Sequence, residues 1–286
     1  MMLLLYLLTV VTARTDSALG KVNGIRRGSV MRFNGSKATA AALLAAAATL
    51  LGGFEFDGAS AGMGVFYGIS LAASMCAGLM ALSLGSMAIT SMLASFSLII
   101  PALVGILFLK EKLSATGAVG FVLLILSVLL LNVKKGTAPI SPKCWFYSFL
   151  TMVTNGICSV IQKLHQYRAP GLYQKEFMLF AMVTAAIVLV AYGLWKKEKP
   201  VEASKKQVQA HTILLGALAG ICNCIANFLT LTLAATENAS VLFPILSAAN
   251  SIGAVMVGGL IFHERLTRLQ TVSVAVGIAS VVLLKL

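Results

Sequence analysis

Residues 105–131, GILFLKEKLSATGAVGFVLLILSVLLL, recur without a gap as residues 258–284, GGLIFHERLTRLQTVSVAVGIASVVLL, at a constant offset of 153. Glu111 falls on Glu264, Leu113 on Leu266, Ser114 on Thr267 and Ser127 on Ser280. The same offset carries the third apolar segment onto the eighth and the fourth onto the ninth. At the front of each half, LTVVTARTDSALGK (8–21) aligns on LTMVTNGICSVIQK (150–163) at an offset of 142, with Leu8, Thr9, Val11, Thr12, Ser17 and Lys21 recurring. Self-similarity over this length marks two related halves rather than a short-repeat array.

Composition sets the environment of those halves. Of 286 residues 59% are hydrophobic and 11% charged, with a mean hydropathy of +0.94, against about 25% charged residues in soluble domains. Ten segments fit membrane spans of about 20 residues: 1–22, 37–53, 61–84, 87–109, 114–133, 143–165, 175–195, 210–233, 239–262 and 268–286. They predict an all-α membrane protein in which residues 1–133 and 143–286 form two five-helix repeats joined by a linker over 134–142. An odd number of spans per repeat inverts the second copy relative to the first. The formal charge of +13 sits mainly between apolar segments, so it reads as a topology signal and not as a nucleic-acid surface. Lys and Arg concentrate in the odd-numbered loops, from Lys21 to Lys37 and from Lys196 to Lys206 among others. That bias puts both termini outside the cytoplasm. The five cysteines lack metal-ligand spacing, and no metal or cofactor is expected.

An apolar helix closing in Glu, a short turn and a second apolar helix with small residues resembles the drug/metabolite transporter superfamily, in its ten-helix EamA-type branch. The lysine late in the first helix of each half, Lys21 in SALGK and Lys163 in SVIQK, fits the same resemblance, which extends over essentially the whole chain. It implies a secondary transporter of a small organic metabolite in the plasma membrane of a bacterium, with cytoplasmic termini. The loop charges point the other way, and both orientations stand at this stage.

Polar residues deep in apolar helices are the candidate substrate contacts, because hydrocarbon offers them no water. Tyr67, Ser70 and Ser74 share one face of the third helix, and the offset lays them on Gly220, Asn223 and Asn227 of the eighth. Asn250 of the ninth helix lies opposite Ser97. Interhelical hydrogen bonding is the alternative use for such residues. Pro101 and Pro244 predict kinks within the fourth and ninth helices that could serve as gating points. Glu111 and Glu264 read as structural turn residues, placed to complement the next helix dipole, with Ser114 and Thr267 as N-caps.

The first helix carries the exception, TARTDS (12–17). The sequence MMLLLYLLTVVTA could be a signal peptide cut after Ala13, but it has no basic start, and the repeat match continues past the cut. Within a helix Arg14 and Asp16 lie about 200° apart, so each needs its own partner or a wet cavity. The second copy has Gly156 and Cys158 at these places. Arg14, Asp16 and Ser17, with Asn155 and Ser159 of the second copy, therefore join the candidate substrate contacts. Asp16 is the candidate proton-coupling carboxylate. Lys21 and Lys163 could contact an anion or take part in coupling, or could snorkel to the interface.

The sequence thus predicts a carrier of a small molecule such as an amino acid, embedded in the lipid bilayer and working by alternating access at a midplane cavity, with protons as an optional partner. A multidrug efflux carrier is the alternative. An intramembrane lipid-modifying enzyme finds no support, since HExxH, P-loop and nucleophile-elbow motifs are missing from the sequence. Oligomeric state is not readable from these features.

Overall fold

The computed structural model describes residues 2–26, 28–84, 93–97, 99–112, 114–132, 141–195, 206–261 and 268–285. Glu264, Thr267 and most of the expected linker fall outside them. Ten helices of nine residues or more form the described chain: α1 Met2–Ile25, α2 Val30–Leu51, α3 Gly58–Leu84, α4 Ile99–Leu107, α5 Ala115–Asn132, α6 Pro142–Arg168, α7 Gln174–Trp195, α8 Lys206–Thr236, α9 Ala239–Leu260 and α10 Arg268–Lys285. Six of them are long and apolar enough to cross a membrane. Large apolar side chains such as Leu3, Leu43, Ile187 and Ile213 lie exposed on their outer surfaces, as a lipid-facing helix surface requires. The chain is an integral, multi-pass membrane protein.

Local signals explain where the helices start and stop. The Oγ of Ser29 accepts the backbone N–H of Arg32 at 3.1 Å and caps α2, so that helix starts at Val30 and not at residue 37. The Ser114 hydroxyl accepts the N–H of Gly117 at 3.0 Å and caps α5 in the expected way. α1 runs unbroken through Val11–Ala13. The fourth segment departs from the expected continuous helix. A short helical piece at 93–96 ends in a turn at Ser97, and α4 begins at Ile99. Pro101 therefore lies in a first helical turn, where its missing N–H breaks no bond, and it is not a mid-helix kink. Pro244 does lie inside α9, fully buried.

The helices cluster into two compact units, residues 1–72 with 165–232 and residues 73–164 with 233–286. Each unit draws helices from both repeats. In the first, the equivalent helices α2 and α7 pack antiparallel: Thr49 donates to the Lys175 carbonyl, while at the other end a Cβ on Gly193 would meet Met31. In the second, α5 and α10, the two copies of the repeated stretch, also run antiparallel. Ser127 donates to the Ser273 carbonyl at 2.8 Å and Ser273 donates back to that of Ser127 at 2.6 Å. Gly120 lies so close to α10 that a Cβ would meet Ser280 O at 2.9 Å. Such hydroxyl exchanges and small-residue approaches hold helices together where lipid offers no hydrophobic drive. The opposed directions of equivalent helices are those of an inverted repeat.

Glu111 performs a structural role at a different address from the one expected. Lys110 takes a left-handed conformation (φ 54) and turns the chain back, so that the Glu111 N–H returns to the Gly105 carbonyl at 3.0 Å. The Glu111 carboxylate then reaches the start of α9, accepting the N–H groups of Ala239 and Ser240 at 2.9 Å each. A Cβ on Gly105 would collide with that carboxylate. Lys163, buried in α6, donates to the carbonyls of Ala234 at 3.3 Å and Glu237 at 2.6 Å, and its Nζ is 3.5 Å from Glu111. A carboxylate thus covers the positive start of α9 and an ammonium covers the negative end of α8, both favourable to the helix dipoles. Glu111→Ala should lower the thermal stability of the purified protein by about 2 kcal/mol, since charged hydrogen bonds are lost. Ser114→Ala should remove only about 1 kcal/mol. A smaller loss for Glu111→Ala than for Ser114→Ala in matched unfolding curves would contradict this assignment.

Candidate substrate-binding network

The charges of α1 find their context in the first unit. Asp16 stands past the midpoint of α1, and its Oδ2 accepts from Lys37 Nζ at 2.6 Å and from Asn223 Nδ2 at 3.1 Å. Lys37, counted by sequence among loop charges, lies well inside α2 and forms an ion pair with Asp16 whose side chains are 14% and 12% exposed. The α8 glycines make this approach available. A Cβ on Gly220 would collide with the backbone oxygen of Lys37, and one on Gly216 with Ser36, so α2 and α8 touch backbone to backbone at the level of the pair.

From Asp16 the polar chain continues across α8 to α3. Asn227 Nδ2 donates to the Asn223 carbonyl at 2.8 Å and lies 3.2 Å from its Oδ1. Tyr67 donates its hydroxyl to Asn227 Oδ1 at 2.6 Å. Lys37, Asp16, Asn223, Asn227 and Tyr67 therefore form one network contributed by α1, α2, α8 and α3. Tyr67 is 2% exposed and packs edge-on against Phe177 of α7 at 5.4 Å between centroids. Gly64 and Gly68 let α3 lie against the α7 backbone.

The other expected contacts are distributed differently. Arg14, near the middle of α1, is half-buried, with its Nε buried and without a hydrogen-bond partner among the described residues. Ser17 is exposed and bonds back to the Ala13 carbonyl, so it does not join the network. Ser70 is buried in α3 in the same unit, and Lys21 is half-buried near the end of α1. Ser74, Asn155, Ser159, Asn250 and Lys163 belong to the second unit. Ser159 donates to the carbonyl of Asn155 at 3.3 Å within α6, and the Oδ1 of Asn250 is buried and without a hydrogen-bond partner among the described residues. Lys163 braces helix ends and does not snorkel. At Gly156, the counterpart of Arg14, the space for a side chain is taken by Ile100 of α4, so the repeat is asymmetric here for a steric reason.

A second polar cluster, not anticipated from sequence, closes the same unit where α6 ends and α3 and α7 begin. Gln166 Oε1 accepts from Gly171 N at 2.9 Å and Gln174 Nε2 at 3.1 Å. Its amide nitrogen therefore faces Nδ1 of the fully buried His165 at 2.7 Å, and His165 Nε2 meets Ser60 Oγ at 2.9 Å. Outside the helices Asp57 receives both Arg168 guanidinium nitrogens, at 2.7 and 3.1 Å, and the Ser60 N–H at 2.8 Å. Arg168 first, and then Ser60, hold the Asp57 carboxyl well below the usual carboxylate range.

Two outcomes follow from these contacts. A depressed folded-state value means that the Asp57 contribution is fully present above the ordinary carboxylate value of about 3.9 and is lost as pH falls from there toward the folded value. The melting-temperature gap between wild type and Asp57→Asn should accordingly stay constant from about pH 8 to 5 and close below about pH 4; a gap that closes near neutrality would refute the pairing. Lys37→Gln should destabilise the protein by about 3 kcal/mol, because it strands a buried carboxylate. Adding Asp16→Asn should restore most of that loss, and strict additivity of the two changes in a double-mutant cycle would show that the pair is not coupled.

Ten apolar helices, with the equivalent α2 and α7 antiparallel in one unit and the equivalent α5 and α10 antiparallel in the other, define a helical membrane protein built from an inverted repeat. A family model, the EamA-like transporter family, matches residues 143–286, and the chain belongs to that family, within the drug/metabolite transporter superfamily. Members of this family are membrane transporters and not enzymes. A solved crystal structure aligns over 98% of this chain and 94% of its own, with a TM-score of 0.76 at 15% identity; this likeness concerns the fold. Comparison with curated proteins gives no match.

Proposed function

We propose that the protein is a secondary transporter of a small polar metabolite, an amino acid among the candidates, in the plasma membrane of a bacterium, and that the Asp16 network is its binding site. The observation that carries this reading is the continuous hydrogen-bonded path from Lys37 through Asp16, Asn223 and Asn227 to Tyr67. It joins helices of both repeats within one unit, and transporters built from inverted repeats bind their cargo where repeats meet. Every member can exchange its present partner for a substrate group: Lys37 for an oxyanion, Asp16 for an ammonium, the amides and the phenol for either. Substrate binding then changes the contacts among α1, α2, α3 and α8, which is the differential interaction that alternating access needs.

Asp16 also offers a coupling step. A proton arriving on its carboxylate removes the charge that holds Lys37, and the pair separates without leaving two unpaired charges in the bilayer. In proteoliposomes, wild-type flux should be saturable and should rise several-fold with an imposed pH gradient, whereas Asp16→Asn should abolish the response to the gradient. Gradient-independent flux that Asp16→Asn leaves unchanged would remove Asp16 from the coupling step, and flux linear in substrate concentration would remove the carrier mechanism.

A further inference from the structure

Between α2, α7 and α8 of the first unit lies a groove of about 290 Å³ that the polar network does not use. Ala45 of α2, Met178 of α7 and Cys224 of α8 are buried along its floor, while Ala48, Ile225 and Phe228 are exposed at its rim. On α8 the rim belongs to a longer exposed row, Leu214, Leu218, Ile221, Ile225 and Phe228, whose spacing by fours and threes keeps it on one face. An exposed apolar row on a membrane-spanning helix is a lipid-facing surface. The charged residue among those lining the groove is Lys175, in the first turn of α7. Its Nζ donates to the carbonyl of Gly52 and, at 3.1 Å, to that of Gly53, just past the end of α2. Lys175 takes part in none of the ion pairs among the described residues. At the same edge Asp57 holds Arg168, and the buried Glu176 accepts the N–H of the exposed Glu55 at 3.1 Å. The exposed Tyr167, one residue before Arg168, suits the membrane interface at that level. From the level of Gly52 back to Leu44 the groove runs roughly 12 Å along α2 at 1.5 Å per residue, which is close to the half-thickness of about 15 Å of a bilayer's hydrocarbon core.

We propose that this groove holds one acyl chain of an anionic phospholipid, with the lipid phosphate on the Lys175 ammonium. The apolar walls match hydrocarbon, and the cation stands at the end of the groove where a lipid tail meets its headgroup. A phosphate oxygen and an ammonium form a charge-assisted hydrogen bond, and a cation at a membrane surface favours a net-anionic headgroup over a zwitterionic one. A water-soluble phosphate would use the ammonium and leave the groove unfilled. The site stands apart from the Asp16 network and does not depend on that network being the substrate site, although α2 and α8, which form its walls, also carry Lys37 and Asn223.

The test combines native mass spectrometry with thermal unfolding of the purified full-length protein, delipidated in detergent and then supplied with dioleoyl phosphatidylglycerol, dioleoyl phosphatidylcholine, glycerol phosphate or oleate. Wild type should retain one phosphatidylglycerol per chain and prefer it over phosphatidylcholine by about fivefold or more, the worth of one lysine at a membrane surface. Its melting temperature should rise with phosphatidylglycerol and not with glycerol phosphate. Lys175→Gln should bring the preference below about twofold and Lys175→Arg should keep it. Ala48→Phe, which fills the groove from its exposed rim, should lose lipid retention in a folded protein. Arg32→Gln makes the same charge change at the opposite end of α2 and should leave the preference intact. Equal retention of both lipids by wild type, a preference that survives Lys175→Gln, or one that falls as far in Arg32→Gln overturns the proposal. Stabilisation by glycerol phosphate or by oleate equal to that by phosphatidylglycerol overturns it too, in favour of a free-anion or a fatty-acid site. Should Lys175→Gln fail to fold, Ala48→Phe decides, and wild-type retention of phosphatidylglycerol in that variant overturns the assignment.

Discussion

A carboxylate and an ammonium in contact between two apolar helices fix how the helices of the first unit meet. In hydrocarbon neither Asp16 nor Lys37 has water to fall back on, so any arrangement that separates them strands a charge. Their contact ties α1 to α2 at one register. Holding Lys37 there brings its backbone against α8, which only glycine at 220 permits. With α8 so placed, Asn223 reaches Asp16 and Asn227 reaches Tyr67 of α3. Each step is a geometric consequence of the previous one, and the polar network results from keeping a charge satisfied.

The two repeats contribute to that network unequally. Both charged partners come from helices of the first repeat, while the second supplies neutral amides from α8. Elsewhere the repeats keep equivalent packing, since the Ser127–Ser273 contact of α5 with α10 has its counterpart in the close approach of Gly120 to Ser280. Symmetry is thus kept where the helices only pack, and given up where the buried charges are paired.

The architecture was legible from the apolar segments and the gapless repeat, because helix length in a bilayer and period in sequence are both one-dimensional properties. The need of Asp16 for a partner was legible too, from the angle between positions 14 and 16. The identity of the partner was not. Lys37 reads as a loop charge because the preceding polar run, Arg32 to Ser36, resembles a loop, and only the Ser29 cap pulls the helix back to Val30. Glu111 announces a capping role by its place before a turn, yet the helix it caps lies more than a hundred residues away, and that distance has no local signature. The cluster of His165 with Ser60, Gln166 and Gln174 was invisible for the same reason: separate helix ends meet only in three dimensions.

The composition of the two units bears on how the chain is made. The first includes residues up to 232 and the second up to 286, so neither is complete when the first five helices have entered the membrane. Until the start of α9 emerges, Glu111 lacks its backbone donors, and until α8 is threaded Asp16 has Lys37 but no amide. Insertion therefore runs ahead of assembly throughout synthesis. The early helices must persist in lipid as a loosely joined set, held by the Asp16–Lys37 pair that the first half completes by itself, and each unit locks only when its own last helix arrives.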